Sequence, residues 1–162
     1  MNDDTPYHIE INNPHTYDWV DEVMLRNGIS EALRRFEVTG AEISIAVVSD
    51  DEIAALHQEY LNISGPTDVL TFDLSTAPSD PQAPRRIEGE VVLSAETAMR
   101  CASANKHSPA AELALYAVHG LLHLLGMNDK NEQEAAEMHR LEDEILVAVG
   151  IGRVFGESSS CA

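Results

Sequence analysis

The stretch IEGEVVLSAETAMRCASAN, residues 87–105, changes character at Ser94. Its first half, IEGEVVLS, concentrates apolar and β-branched side chains after a proline-rich segment and reads as a strand. Ser94 then offers an N-cap oxygen and Glu96 a negative charge in the first turn, so AETAMRCASAN reads as a helix. The strand signals cluster before this point and helices dominate after it, and that division decides the fold.

Upstream, YHIEIN (residues 7–12) alternates apolar and polar side chains, as a half-buried strand does. From about Tyr17, the residues Trp19, Val20, Val23, Met24, Ile29, Leu33 and Phe36 recur at three- and four-residue steps. This predicts one helix, with Asn27-Gly28 as the place where it bends or splits. AEISIAVVS (41–49) is a second strand, and Ser49 with three acidic residues behind it caps a helix through Tyr60. Val69 to Leu74 is a third strand, paired as an antiparallel hairpin with the fourth. Between them STAPSDPQAPRR (75–86) holds three prolines in twelve residues and reads as a surface loop.

Downstream, Ser108-Pro109 opens a helix with an N-cap and a proline at the first helical position, and Gly126 ends it as a left-handed cap. A last helix runs from about Glu132 to Val149, followed by a polar tail over 153–162. The expectation is a single α+β domain over 1–162, a four-stranded mixed β-sheet covered by about five helices.

A chain of 162 residues with 44% hydrophobic and 23% charged side chains is long enough to bury a core. No apolar run reaches a membrane span, and the first residues lack the basic flank and apolar stretch of a signal peptide, so the expected location is the cytoplasm. Cys101 and Cys161 form no framework and no CxxC pair, and both are expected as free thiols. A formal charge of −18 excludes a broad basic nucleic-acid footprint. Contact with a polyanion must then be local, and the candidate cations are Arg85, Arg86, Lys106 and Lys130.

The chemistry concentrates in HGLLHLLGMND, residues 119–129. On a helix His119 and His123 are one turn apart on one face, so both can ligate one ion. Gly126 reverses the chain and lets Asp129 return as a third ligand, leaving a position open for water. The plainer alternative is two semi-buried histidines on a core helix. The metal reading gains from the apolar surroundings (Leu113, Leu115, Val118, Leu121, Leu122, Leu124, Leu125), where two imidazoles need partners. Zinc peptidases carry a glutamate after the first histidine as general base, and here Gly120 stands there, which disfavours peptidase chemistry.

The same stretch resembles the YbeY family signature HGxLHLxGYDH. GPTDVLTFDL (65–74) resembles that family's KPTDVLSFPF segment, EGEVVLSAETA is similar to its LGDIVIS strand and following helix, and EAAEMHRLEDEIL resembles its C-terminal helix. The four blocks keep their order over residues 40 to 149. The resemblance implies a zinc-dependent, single-strand-specific endoribonuclease in rRNA maturation and ribosome quality control. It implies one Zn2+ ion, with rRNA precursors and ribosome-associated proteins as partners and no role for DNA or a membrane. Its metal ligands would be His119, His123 and Asp129, with His119 and His123 catalytic. Thr67 and Asp68 would lie beside the cleft; Arg85 and Arg86, as local cations of an otherwise acidic chain, are the residues expected to contact substrate.

Two positions depart from the family pattern. Asp129 stands where an ungapped alignment places the third histidine, and Leu61 stands where the family carries an arginine. A gapped alignment instead matches Asp129 to the aspartate before that histidine and leaves no third ligand, since His139 lies too far into the next helix. The departures leave a second reading open: a ribosome- or RNA-associated protein that keeps the fold and has lost cleavage. Outside the motif, Thr67 and Asp68 also read as plain turn chemistry, Glu90 either faces the cleft or is an exposed strand carboxylate, and His8, His15, His57 and His107 read as surface histidines. Met138, Leu141, Ile145 and Leu146 are core positions of the last helix.

Overall fold

The computed structural model describes residues 6–75 and 85–152. Most of the expected proline-rich loop and the whole expected tail, with Cys161, lie outside the described residues.

The elements follow the order β1 (Tyr7–Asn12), α1 (Glu22–Arg35), β2 (Gly40–Val48), α2 (Asp50–Leu61), β3 (Val69–Asp73), β4 (Arg86–Ser94), α3 (Ala95–Asn105), α4 (Pro109–Leu124) and α5 (Glu132–Ala148). The four strands form one mixed sheet of order β1-β2-β4-β3. β1, β2 and β4 are mutually parallel, and β3 pairs antiparallel with β4, Thr71 opposite Val91. This is the α+β architecture expected from the sequence.

Alternation along the strands builds two unequal cores. Ile43, Ile45 and Val47 of β2 and Ile87, Val91 and Leu93 of β4 face the large cluster, where α1, α3, α4 and α5 bury Leu33, Ala98, Val118, Leu122 and Ile145. The other face carries a small cluster of Val48, Leu70 and Val92 under Ile53 of α2. Beyond α2 no helix among the described residues covers that face, and Glu42, Glu88 and Glu90 stand exposed on it. Glu90 is therefore a solvated strand carboxylate on the face away from α4. No helix among the described residues is long and apolar enough to cross a membrane.

Three expectations are corrected. The helix expected from Tyr17 begins only at Glu22, because Asp21 caps it by accepting from the Met24 amide. Trp19 and Val20 pack against the core from the preceding loop, which mimics helical spacing. Gly28 does not break α1; it is the close-approach point for α4, where a Cβ would lie 3.1 Å from Val118 Cγ2. Cys101, buried on α3, is disulfide-bonded and carries no free thiol; a bridge is set by proximity in the folded chain, which spacing along the sequence does not report.

The N-termini of α2 and α3 are locked together at the ends of β2 and β4. Ser49 and Glu52 form a reciprocal capping box on α2. The Asp50 carboxylate accepts from the Ser94 hydroxyl at 2.7 Å, the Thr97 hydroxyl at 2.8 Å and the Arg100 guanidinium at 2.6 Å. Desolvation pushes the Asp50 carboxyl up, but these donors outweigh it and hold it below its ordinary value. Asp50→Ala leaves the buried Ser94 and Thr97 hydroxyls without their acceptor and should cost about 2 kcal/mol in chemical denaturation. Because the folded-state value is depressed, this contribution is fully present above the ordinary carboxylate pKa and is lost as pH falls from there through the lower folded-state value. The gap between wild type and variant should therefore narrow in acid.

Candidate metal centre

α4 carries the site because its sequence leaves it no other orientation. Leu113, Val118, Leu121 and Leu122 are at most 1% exposed and press one side into the core. Gly120 brings the helix onto the sheet: a Cβ there would lie 2.9 Å from Val69 Cγ2, 3.0 Å from Thr71 Cγ2 and 3.1 Å from Val91 Cγ1. His119 and His123 are left on the flank that opens beside β3 and α5.

The helix ends as the glycine dictates. Gly126 adopts φ +101, and the Gly126 and Met127 amides donate back to the His123 and Leu122 carbonyls. This left-handed reversal returns the chain toward the histidines. Asp129 Oδ2 comes to 3.6 Å from His119 Nε2 and 3.8 Å from His123 Nε2, and the two Nε2 atoms are 3.1 Å apart. The three residues expected as ligands are thus gathered at one point.

The chemistry of these atoms fits a cation. His123 Nδ1 lies 3.1 Å from the Met127 carbonyl, which can only accept, so that nitrogen carries the proton and Nε2 presents a lone pair. His119 Nδ1 lies 2.5 Å from Oε1 of Glu142, which likewise leaves Nε2 as the donor atom. Two lone pairs and a carboxylate oxygen within 4 Å repel one another unless a positive charge lies between them. Ligands of a tetrahedral ion bound at about 2.0–2.1 Å sit roughly 3.4 Å apart, close to the observed triangle. The Asp129 side chain is 40% exposed, so the triangle is open to solvent on that side.

Burial alone would push His119 down, yet the Glu142 carboxylate, supported by Asp68 and Asp129, outweighs it and holds the imidazole above its ordinary value. Glu142 is 1% exposed on α5, and the sequence reading missed it. The signal was present: it interrupts the apolar stripe Met138, Ile145 and Leu146, where an unpartnered carboxylate has no place.

The remaining candidates are distributed around this centre. Thr67 Oγ1 donates to Asp68 Oδ1 at 3.3 Å, and the Asp68 carbonyl accepts from the Ser94 amide at 3.0 Å, which carries the β3–β4 pairing one residue beyond the strand. The Asp68 charge also reaches His119, Tyr116 and Glu112. Arg85 donates to the Leu125 carbonyl at 2.7 Å and lies against the Phe36 ring, which ties the start of β4 to the end of α4. Arg86 lies over Gly40, with no ion pair or hydrogen bond to the histidines. Among the described residues Arg26, Arg34, Arg35, Arg100 and Arg140 are in ion pairs. Arg86, Lys106 and Lys130 have no carboxylate partner there. His107 is no surface histidine: its Nε2 is buried without a hydrogen-bond partner, and its charge reaches the buried Glu112. Leu61 is 55% exposed at the end of α2, beside exposed Tyr60 and Ile63.

Comparison with known proteins adds an independent line. A family described as Endoribonuclease YbeY matches residues 7–150. Curated relatives named Endoribonuclease YbeY include one from Corynebacterium glutamicum strain ATCC 13032, 39% identical over 85% of this chain and 74% of its own length. One from Corynebacterium aurimucosum is 40% identical over 85% and 77%, and one from Acidothermus cellulolyticus is 37% identical over 86% and 90%. Among solved structures, the solution structure of TM1509 from Thermotoga maritima matches with a TM-score of 0.54 over 88% of this chain and 90% of that one; at 22% identity it speaks for the fold alone. The family match spans the sheet, α4 with its histidines and α5 with Glu142, and with relatives 37–40% identical over most of its length the chain belongs to the YbeY endoribonuclease family.

Proposed function

We propose that this chain is a zinc-dependent endoribonuclease that cleaves single-stranded RNA during rRNA maturation and ribosome quality control, acting with ribosome-associated proteins in the cytoplasm. The observation that carries the reading is the convergence of His119 Nε2, His123 Nε2 and Asp129 Oδ2, with both Nδ1 atoms engaged elsewhere. A divalent ion bound by these three supplies an acidified water and polarises a phosphoryl oxygen.

The chain's own residues do the rest. His119 and His123 are held in one tautomer by Glu142 and the Met127 carbonyl, so binding requires no reorganisation of the rings. Asp68 adds negative charge close enough to act on His119. Gly120 faces the sheet and excludes the peptidase arrangement, since no side chain at that position points toward the histidines. Arg86 and Lys130 are free to meet backbone phosphates, whereas Arg85 serves the fold. A strand rather than a duplex suits a surface of charge −18, because only a few local cations are available to offset repulsion.

Exposed Leu61, where the resemblance places an arginine, favours the second reading of a protein that binds RNA or the ribosome without cutting. One assay separates the two. Single-stranded and duplex RNA of the same sequence are incubated with the zinc-loaded protein, with and without chelator. The expected result is cleavage of the single strand only, lost with chelator and restored by zinc. RNA binding and zinc binding without cleavage would establish the second reading, and cleavage indifferent to chelator would overturn both.

A further inference from the structure

The fold alone has no use for a carboxylate at position 142. Met138, Ile145 and Leu146 around it on α5 are fully buried, Glu142 itself is 1% exposed, and burying a carboxylate costs several kcal/mol unless it is paired. An apolar residue of similar size would pack there at no such cost. Its hydrogen-bond partner is His119 Nδ1, 2.5 Å away and 23 residues back in the chain.

The two histidines differ in what orients them. His123 is held by a backbone carbonyl, that of Met127, which the Gly126 reversal delivers whatever the side chains are. His119 is held by a side chain alone. We propose that Glu142 is the positioning residue of the metal centre: through Nδ1 it fixes the ring of His119, aims Nε2 at the point shared with His123 and Asp129, and strengthens that nitrogen as a donor. This rests on the metal reading of the site.

With Asp129 as a direct ligand, Glu142 would be a second negative charge near the same ion, separated from it by the imidazole ring of His119. The pair offsets a dication, so the centre holds its ion by charge as well as by geometry. Without the ion, two carboxylates and two imidazoles are accommodated by protons alone.

The test compares wild type with Glu142→Gln, which keeps the shape and a hydrogen-bond acceptor but removes the charge, and with Glu142→Leu, which leaves Nδ1 without an acceptor. Zinc affinity is measured by competition with a chromophoric chelator, and the melting temperature is measured on the metal-free proteins. Zinc binding should weaken about 10–100-fold in Glu142→Gln and at least as far in Glu142→Leu. The metal-free melting temperature of Glu142→Gln should stay close to that of wild type, because glutamine keeps the shape and an acceptor for Nδ1–H, and His119 can stand neutral beside it. A purely structural glutamate would give the reverse, a lower metal-free melting temperature and unchanged zinc affinity, and that result overturns the proposal. If wild type itself binds no zinc, the metal reading falls and this inference with it, whereas equal binding by wild type and Glu142→Gln removes only the role assigned here.

Discussion

His123→Ala should empty the metal centre and abolish RNA cleavage while leaving the protein folded. Its Nε2 is one corner of a triangle whose other corners are His119 Nε2 and Asp129 Oδ2. Two ligands on one ion, one of them an exposed carboxylate, do not make a structural or catalytic zinc site, which takes three protein ligands at the least. The affinity loss should exceed the roughly 10–100-fold that removal of an orienting partner alone costs. Zinc content after dialysis should fall from about one equivalent to none. The His123 side chain is 31% exposed and its Nδ1 partner is a surface carbonyl, so the metal-free melting temperature should move little. Metal analysis, melting by circular dichroism and the RNA assay read the three parts separately. A variant that keeps its zinc and its full cleavage rate would show that the ion, the activity or both reside elsewhere.

Which parts of this could be read in advance follows from how local the causes are. The starts of α2, α3, α4 and α5 are each set by one capping residue, Ser49, Ser94, Ser108 and Asn131, whose side-chain oxygen accepts an amide three residues on, and such a signal is complete within a few residues. α1 went astray because Trp19 and Val20 fall at helical steps while packing from a loop, although Asp21-Glu22 held the correct start. His119, His123 and Asp129 were legible for the same reason as the caps: a helical turn and a glycine reversal are both local. Glu142 and the Cys101 bridge depend on elements that meet only after folding. Sheet order belongs with them, since placing β4 between β2 and β3 is a matter of chain crossing and no single strand encodes it.

Gly120→Glu, the change that would write the zinc-peptidase motif into α4, should unfold the protein rather than create a peptidase. The obstacle is direction. A Cβ at 120 points at Val69, Thr71 and Val91, with contacts of 2.9–3.1 Å, and these β-branched side chains have little rotamer freedom with which to retreat. Gly120→Ala isolates the steric component: overpacking costs about 1–3 kcal/mol, and the roughly 1 kcal/mol of better helix propensity offsets only part of it. The glutamate adds a carboxylate pressed against two valines and the methyl group of Thr71, and burying it there raises the cost by several kcal/mol. Set against a total stability of about 5–15 kcal/mol for an ordinary domain, this leaves little or no folded protein. Denaturant titration of the three proteins should rank wild type above Gly120→Ala, and Gly120→Ala well above Gly120→Glu. A glutamate variant with wild-type stability would mean that α4 sits differently on β3 and β4, and the placement of His119 and His123 would have to be redrawn with it.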